Sequence, residues 1–345
     1  MLKPESEAPL GLAECADLFA PLVEAKKIVL AVSGGPDSIA LMHLAALWQA
    51  QQAVPPLIVA TVDHALRPEA RAEAEEVGHA AAQLGLPHTI LTWEGEKPTT
   101  GLQDAARAAR YDLLDRFALR QDATHLVTAH TLDDQAETIL MRMARGSGPA
   151  GLIGMQATTQ RRSLTHVRPF LAIAKARLVA TCAASGWTYV QDPSNADPRF
   201  ARSRWRTLMP QLAAEGLTAA RLATLSQRLA RWDETLAALA RHAHAAAVIE
   251  VLTERRVYDA AELARQPFEV LTRLVTFALR EFFGDDPEWR APRLERIEDF
   301  AAQLSSAFDG QEPFRRTLGG ALFTLTQDGR LTMVREGPRR RGMPG

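Results

Sequence analysis

The chain has 345 residues, of which 47% are hydrophobic, and carries 40 lysine and arginine residues against 41 aspartate and glutamate residues. This length predicts two domains, and the apolar content supports a sizeable core, which argues against a disordered chain. The net charge of −1 excludes a uniformly basic surface, so any nucleic-acid contact requires local clusters of basic side chains.

The cysteines and the amino-terminal sequence indicate the cellular compartment of the protein. The two cysteines, Cys15 and Cys182, lie far apart, which argues against a disulfide framework and a thiolate metal site. The amino terminus lacks the basic and then apolar order of a signal peptide, and no apolar run is long enough to span a bilayer. We therefore expect a soluble protein of the cytoplasm without a membrane partner.

Short apolar segments alternate with longer amphipathic ones between residues 28 and 130. Buried strands are predicted at 28–33, 57–64, 88–93 and 124–130. Helices are predicted between them at 37–50, 68–85 and 102–120. This alternation predicts an α/β fold with a doubly wound parallel sheet, in which ligands bind beyond the carboxyl ends of the strands.

The first predicted strand ends in a small polar loop that consists of Ser33, Gly34, Gly35, Pro36, Asp37 and Ser38. Two glycines before a helix leave backbone N–H groups free to bind phosphate, and the helix dipole adds to the attraction. The carboxylate of Asp37 would repel phosphate unless Mg²⁺ lay between them. The loop therefore predicts a nucleotide phosphate site with Mg²⁺ at Asp37, although a tight turn with a capping aspartate is the simpler alternative. It lacks the lysine of a Walker A motif.

Acidic residues begin the helix that is predicted after the fourth strand. They are Asp133, Asp134 and Glu137. Asp134 and Glu137 are three positions apart and share one helical face, where two carboxylates can bind an ammonium group and help it lose a proton. Acids in a first turn also interact favourably with the helix dipole. Their position directly after a predicted strand end favours the functional interpretation.

Arginines and histidines accompany these acids. Arg107 and Arg110 share one face of a predicted helix, where they could stabilise negative charge on phosphate oxygens. A basic cluster without acids between 199 and 214 consists of Arg199, Arg202, Arg204 and Arg206. This cluster suits a nucleic-acid backbone, and a solvated basic surface is the alternative. His64 and His130 end predicted strands and are expected to line the nucleotide site.

Two other features are predicted to be structural. The stretch GSGPAG at 146–151 matches a dinucleotide-binding pattern, but it follows a helical stretch and contains Pro149. We therefore interpret it as a helix end and a turn. His242 and His244 face different ways on a helical stretch, and both are expected at the surface.

The pattern changes near residue 215. Leucines and Trp232 recur at spacings of three and four, which predicts a long amphipathic helix. Further helices are expected at 259–283 and 291–305, and the alternating runs on either side of Asp328-Gly329 predict a β-hairpin. We therefore predict three parts, which are a catalytic domain at 1–210, a mostly helical region with a small terminal hairpin at 211–338, and a disordered tail at 339–345.

The loop sequence SGGPDS resembles the pyrophosphate loop of the N-type ATP pyrophosphatases, a Rossmann-like superfamily that cleaves ATP to AMP and pyrophosphate. This resemblance covers roughly residues 28–206. Further stretches resemble the tRNA(Ile)-lysidine synthetases, in the order VDHALRPEA (62–70), QDAARAARY (103–111), TAHTLDDQAETILMRMARGSGPAGLIGM (128–155), VRPFL (167–171) and DPSNADPRFARSRWR (192–206). The run at 128–155 is the most specific of them.

The resemblance implies an activity and roles for residues. It implies that ATP adenylates the wobble cytidine of an isoleucine tRNA with a CAU anticodon, and that the ε-amine of free L-lysine then displaces AMP. The implied catalytic residues are Asp134, Glu137, Arg110 and Arg206. The implied substrate contacts are Asp133, Asp134, Glu137, Arg107, Arg202 and Arg204. The implied nucleotide site comprises the loop, His64 and His130, and the family suggests a possible homodimer.

The chain departs from the family pattern at three positions. Thr131 stands where a second histidine is common, Ala65 where glycine is common and Ser203 where asparagine is common. Two alternatives remain open. A tRNA thiolase of the same superfamily is disfavoured by the isolated cysteines, and a nucleotide-binding regulator without turnover would need neither the acids nor the arginine cluster.

Overall fold

The computed structural model describes residues 8–51, 53–190, 199, 201–284, 286, 289–310 and 314–337. The described residues form two compact units, one within 1–147 and 151–227 and the other within 148–150 and 228–345. The predicted tail at 339–345 lies outside the described residues, as do residues 192–198 and 200 of the family-like stretch DPSNADPRFARSRWR. The functional division between 1–210 and 211–338 stays a prediction.

A six-stranded sheet forms the centre of the first unit, in the order β3-β2-β1-β4-β6-β5. Its strands are β1 (Ile28–Ala31), β2 (Leu57–Asp63), β3 (His88–Thr92), β4 (His125–Thr128), β5 (Thr158–Arg161) and β6 (Leu164–Val167). Pairing is parallel from β3 to β6, and β5 pairs antiparallel with β6 at the edge. The predicted doubly wound parallel sheet is confirmed.

Helices cover both faces of this sheet. Those of residues 8–214 are α1 (Leu12–Phe19), α2 (Pro36–Gln51), α3 (Glu69–Gln83), α4 (Leu102–Arg120), α5 (Leu132–Met143), α6 (Pro149–Leu152), α7 (Lys175–Ser185) and α8 (Ala201–Ala214). Ile28 and Leu30 pack into one apolar core with residues of α1, α2, α3 and α7. Val29 points the opposite way, into a second core with residues of α4. Alternation along β1 thus explains why the strand is apolar throughout.

The sequence pattern did not predict the edge hairpin of β5 and β6. Strand β5 has the sequence TTQR, with no apolar side chain to mark a buried face. The turn between the strands contains Arg162 at φ 53°, in a left-handed conformation for which glycine or asparagine is the usual signal. Neither signal is present, so the pattern gave no indication of a hairpin.

The second unit contains a five-stranded antiparallel sheet in the order β7-β8-β11-β10-β9. Its strands are β7 (Val248–Leu252), β8 (Arg255–Asp259), β9 (Arg315–Leu318), β10 (Ala321–Leu325) and β11 (Arg330–Arg335). The predicted hairpin at Asp328-Gly329 is confirmed as β10 and β11. Three further strands extend it into a sheet, and β7 and β8 lie within a region that was predicted to be mostly helical.

Helices account for the remainder of the second unit. The long helix predicted after residue 215 is α9 (Ala219–Ala247), followed by α10 (Ala260–Ala264), α11 (Phe268–Phe283) and α12 (Leu294–Asp309). Apolar residues of α11 and α12 form one core with residues of the sheet. Within the described ranges, no helix combines the length and the apolar character that crossing a membrane requires.

The expectation for His244 is wrong, whereas His242 is exposed as expected. His244 is buried, with its ring edge-on to Phe277 and its Nε2 3.4 Å from the Tyr258 hydroxyl. Its helix continues to the start of β7, so this turn of the helix packs into the core of the second unit. Helical spacing gave no sign of this, because the apolar partners of His244 come from distant segments.

Candidate active site

The polar loop at 33–38 connects β1 to α2, and its shape depends on Gly34 and Ser38. Gly34 has φ +88°, a backbone conformation that side chains with a Cβ rarely adopt. The Ser38 hydroxyl accepts the Ser33 N–H at 3.1 Å and donates to the Gly35 carbonyl at 2.9 Å. Ser38 therefore braces the loop from within, a role that the sequence did not reveal.

The backbone of this loop presents unused donors. Within the described ranges, the N–H groups of Gly34, Gly35 and Asp37 donate to no acceptor. Helix α2 begins at Pro36, where a missing N–H has no cost. Free N–H groups at a helix amino terminus form an anion site, so this geometry supports the predicted phosphate cradle.

Asp37 holds a cation that the sequence analysis missed. Lys175 Nζ lies 2.8 Å from Asp37 Oδ2, while Asp37 Oδ1 is buried without a hydrogen-bond partner. Burial raises the pKa of the Asp37 carboxyl, and Lys175 opposes the shift. Lys175 begins α7, where the helix dipole disfavours a cation. The Lys175 N–H also donates to Asp133 Oδ2 at 2.7 Å, so Asp133 fixes the start of this helix.

Arg206 brings the two predicted acids of α5 together. Its Nε lies 2.5 Å from Glu137 Oε1, and its Nη2 lies 3.5 Å from Asp134 Oδ1. Glu137 is only 1% exposed. Burial raises the pKa of the Glu137 carboxyl, and the hydrogen bond from Arg206 opposes this rise. In this structure the acid pair therefore binds a guanidinium group, and one of its carboxylates is almost fully removed from water.

Thr131 is the N-cap of α5. Its hydroxyl accepts the Asp134 N–H at 3.3 Å, and the Asp134 carboxylate accepts the Thr131 N–H at 2.9 Å. This reciprocal pair is a capping box. Burial acts to raise the pKa of the Asp134 carboxyl, but the hydrogen bond from Thr131 and nearby charges, including Arg202, outweigh it and lower the pKa. The Thr131 backbone N–H thus helps to keep Asp134 ionised, while the Thr131 hydroxyl caps the helix.

A chain of hydrogen bonds fixes the protonation of His130. Arg168 lies 3.0 Å from His166 Nδ1 and can only donate, so His166 carries its proton on Nε2. Thr128 Oγ1 lies 2.8 Å from both His166 Nε2 and His130 Nδ1, and it accepts from the first and donates to the second. Burial lowers the pKa of His130 to about 4 and that of His166 to about 3. Neutral His130 therefore keeps its Nε2–H as a donor.

His64 pairs with Arg110. The Arg110 guanidinium lies 3.2 Å from His64 Nε2, which must accept. Burial and the positive charge of Arg110 lower the pKa of His64 to about 4, so the imidazole is neutral at pH 7. The following residue, Ala65, has φ +50° and donates its N–H to Asp63 Oδ1 at 2.8 Å. That left-handed backbone explains why glycine is common at this position.

The structure gathers most of the predicted site residues at the carboxyl ends of the strands. The charges of Asp134 and Arg206 act on Asp37, and the charge of Arg202 acts on Asp134 and on Arg110. The phosphate loop, the acids of α5 and the arginines therefore share one electrostatic site. Arg204 lies elsewhere on the surface, where it is exposed and donates to the Arg199 carbonyl. Arg107 is also exposed and lies 5.2 Å from the Tyr111 ring, and its charge acts on Arg110 and His130.

Comparison with known proteins identifies the family of this chain. Residues 12–212 match the family model of the PP-loop domain. A tRNA(Ile)-lysidine synthase from Methylobacterium nodulans is 54% identical over 320 residues, which cover 91% of this chain and 92% of that protein. This chain belongs to the tRNA(Ile)-lysidine synthase family. The family member from Methylobacterium sp. strain 4-46 is 50% identical over 343 residues, covering 98% of each chain.

Membership in this family makes the chain an enzyme, and its PP-loop domain is one that uses ATP. A solved U34-tRNA thiolase from Methanococcus maripaludis has the same fold, with a TM-score of 0.54 over 63% of this chain and 77% of that one. Its sequence identity of 16% limits the likeness to the fold.

Proposed function

We propose that this enzyme joins free L-lysine to the wobble cytidine of the isoleucine tRNA with a CAU anticodon. In the first step the exocyclic oxygen of the cytosine attacks the α-phosphorus of ATP, and pyrophosphate leaves. In the second step the lysine ε-amine attacks the activated carbon, AMP leaves with the oxygen, and the amine loses a proton. The observation that carries this proposal is the acid pair of α5 beside the phosphate loop.

For the first step, the loop at 33–38 is assigned to the phosphates of ATP. The free N–H groups of Gly34, Gly35 and Asp37 point to bound anions, and the hydroxyls of Ser33 and Ser38 lie next to them. His64 and His130, which are both neutral, are assigned to the nucleotide as uncharged donors. Arg110 and Arg202 are assigned to the negative charge that develops on the departing and transferred phosphate groups.

Asp37 is assigned to Mg²⁺. Its buried Oδ1 has no partner, and Mg²⁺ is commonly held by one or two carboxylates together with substrate phosphates. Within the described residues no group of three or more acidic, histidine or cysteine side chains forms a metal site by itself, which agrees with a metal shared with ATP. When bound, Mg²⁺ would neutralise phosphate charge. The ammonium group of Lys175, which pairs with Asp37 Oδ2, would also neutralise phosphate charge.

For the second step, Asp134 and Glu137 are assigned to the amino groups of lysine. They already bind a cation, Arg206, through contacts of 2.5 and 3.5 Å. A lysine ammonium group can replace part of this contact, and Arg206 is then free to pair with the phosphate of AMP. The raised pKa of Glu137 suits a group that accepts a proton from the attacking amine. Asp133 and Arg204 remain proposed substrate contacts.

Omitting one substrate at a time tests this function. We expect pyrophosphate release from ATP to require the tRNA but not lysine, and AMP release to require both. Pyrophosphate is measured by a coupled assay and lysidine by mass spectrometry of the digested tRNA. ATP cleavage that ignores the tRNA would contradict the proposal. A thiolase is the weaker alternative, because Cys15 and Cys182 are both buried and burial raises the pKa of Cys182 to about 11.

The second unit is proposed to bind the tRNA, and a truncated chain tests this division. The cut belongs after residue 227, because Leu222 packs against α5 and Ser226 bonds to Gln135 within the first unit. We expect residues 1–227 to bind ATP normally and to lose most of their affinity for tRNA. The salt dependence of binding should also flatten by about 0.7–0.9 per lost phosphate contact.

Filter binding at several salt concentrations measures both quantities, with circular dichroism as the control for folding. If the truncated and full chains bound tRNA with equal affinity and slope, tRNA recognition would lie within residues 1–227.

A further inference from the structure

A polar cavity of about 440 Å³ lies in the first unit, apart from the phosphate loop. Helix α4 contributes Asp104, Arg107 and Tyr111 to its wall, and the hairpin of β5 and β6 contributes Arg161 and His166. Arg168, directly after β6, completes the wall. The volume is within the range of about 300–1,000 Å³ that is typical of ligand sites.

The cavity is positively charged. The Tyr111 ring orients two of its guanidinium groups, those of Arg107 at 5.2 Å and Arg161 at 4.6 Å. Arg161 Nε binds both oxygens of the buried Asp115 carboxylate, at 2.8 and 3.1 Å. Within the described ranges Arg107 and Arg168 form no ion pair with a carboxylate. Asp104 is the single acid in the wall, so the balance of charge favours an anionic ligand.

Arg168 is held in place and retains an unused donor. Its Nη1 donates to the Gln156 carbonyl at 2.7 Å and to Thr159 Oγ1 at 3.3 Å, and its Nη2 donates to His166 Nδ1 at 3.0 Å. Its Nε is buried without a partner. Nη2 carries a second N–H beyond the one given to His166, so the guanidinium group of Arg168 retains donor capacity in the cavity wall.

The position of the cavity indicates which anion binds there. The phosphate loop follows β1, whereas the cavity lies at β5 and β6, beyond β4 in the sheet order. Thr128 links the two places, because it bonds to His130 and also to His166 in the cavity wall. ATP phosphates already have a cradle at the loop. A polynucleotide, in contrast, continues in both directions from the nucleotide that reacts.

We propose that this cavity binds a backbone phosphate of the tRNA next to the nucleotide being modified. The inference rests on the proposed function. It adds a second point at which the tRNA is bound, besides the adenylation site. Arg107 supplies charge, whereas Arg168 supplies a directed hydrogen bond from its guanidinium group. The anchor fixes the register of the strand, so that a particular base reaches the adenylation site.

Two substitutions separate these contributions in the full chain. Arg107→Gln is expected to weaken binding of the unmodified CAU tRNA about three- to tenfold and to reduce the salt slope by about 0.7–0.9, since one phosphate contact loses its charge. Arg168→Lys keeps the charge, so we expect weaker binding with the slope unchanged. Arg120→Gln, at an exposed arginine of the same helix, is the matched control and should bind as the unsubstituted chain does.

Filter binding with tRNA at several salt concentrations is combined with equilibrium dialysis of ATP. Weaker tRNA binding by Arg107→Gln, with its ATP binding unchanged, supports the proposal. Wild-type affinity and slope in Arg107→Gln would overturn it, as would a loss of ATP affinity with tRNA binding intact. An unsubstituted chain that fails to modify the tRNA would overturn the proposed function as well. Arg107 is exposed, so its substitution tests the cavity even if Arg168→Lys folds poorly.

Discussion

Replacing Asp37 by asparagine is expected to lower the rate of tRNA-dependent pyrophosphate release by about a hundredfold or more. The amide keeps the size of the side chain but removes the negative charge that pairs with Lys175 at 2.8 Å. It also replaces one carboxylate oxygen by an NH₂ group, which cannot bind Mg²⁺. Phosphate charge would then be neutralised less well when pyrophosphate leaves.

The rate is measured under single-turnover conditions with saturating ATP and tRNA, so that a change in affinity does not hide a change in chemistry. Asp17→Asn, at an exposed aspartate of α1, is the matched control and should retain normal turnover. Near-normal pyrophosphate release by Asp37→Asn, with folding verified by circular dichroism, would show that Asp37 has no role in this step.

The phosphate loop is a part of the site that can be predicted from local sequence. The strand before it, its two glycines and the helix after it follow from neighbouring residues, because backbone geometry is decided over a few positions. The same holds for the acids of α5, whose helical spacing places Asp134 and Glu137 on one face. These features were predicted correctly because their physical causes act within about one helical turn.

The partners of these residues could not be predicted in this way. Lys175 is 138 residues from Asp37, and Arg206 is 69 residues from Glu137. Such contacts depend on how the helices end at the edge of the sheet, and no local spacing encodes that arrangement. The arginine cluster predicted contacts with a nucleic-acid backbone and the family resemblance implied a catalytic role for Arg206, but neither indicated its pairing with Glu137. The burial of His244 could not be predicted for the same reason, because the aromatic residues that surround it are distant in the sequence.

Glu137→Gln is expected to impair the use of lysine far more than the activation of the tRNA. The substitution leaves the shape of a nearly fully buried side chain unchanged and removes the charge that holds Arg206 at 2.5 Å. Loss of a charged partner in a buried site costs about 1–3 kcal/mol, which corresponds to a decrease of about five- to 150-fold in kcat/KM for lysine. Adenylation does not require the ammonium group, so lysine-independent pyrophosphate release should change much less.

Lysine titrations that follow AMP release and pyrophosphate release separately distinguish the two steps. Glu76→Gln, at an exposed glutamate of α3, is the matched control and should leave both steps unchanged. If Glu137→Gln lowers both rates equally, the carboxylate acts by positioning Arg206 at the phosphate, because that role would serve activation and displacement alike. If lysine dependence stays at the wild-type level, lysine binds elsewhere. A selective loss of the lysine step would assign the buried carboxylate to the amine that attacks the tRNA.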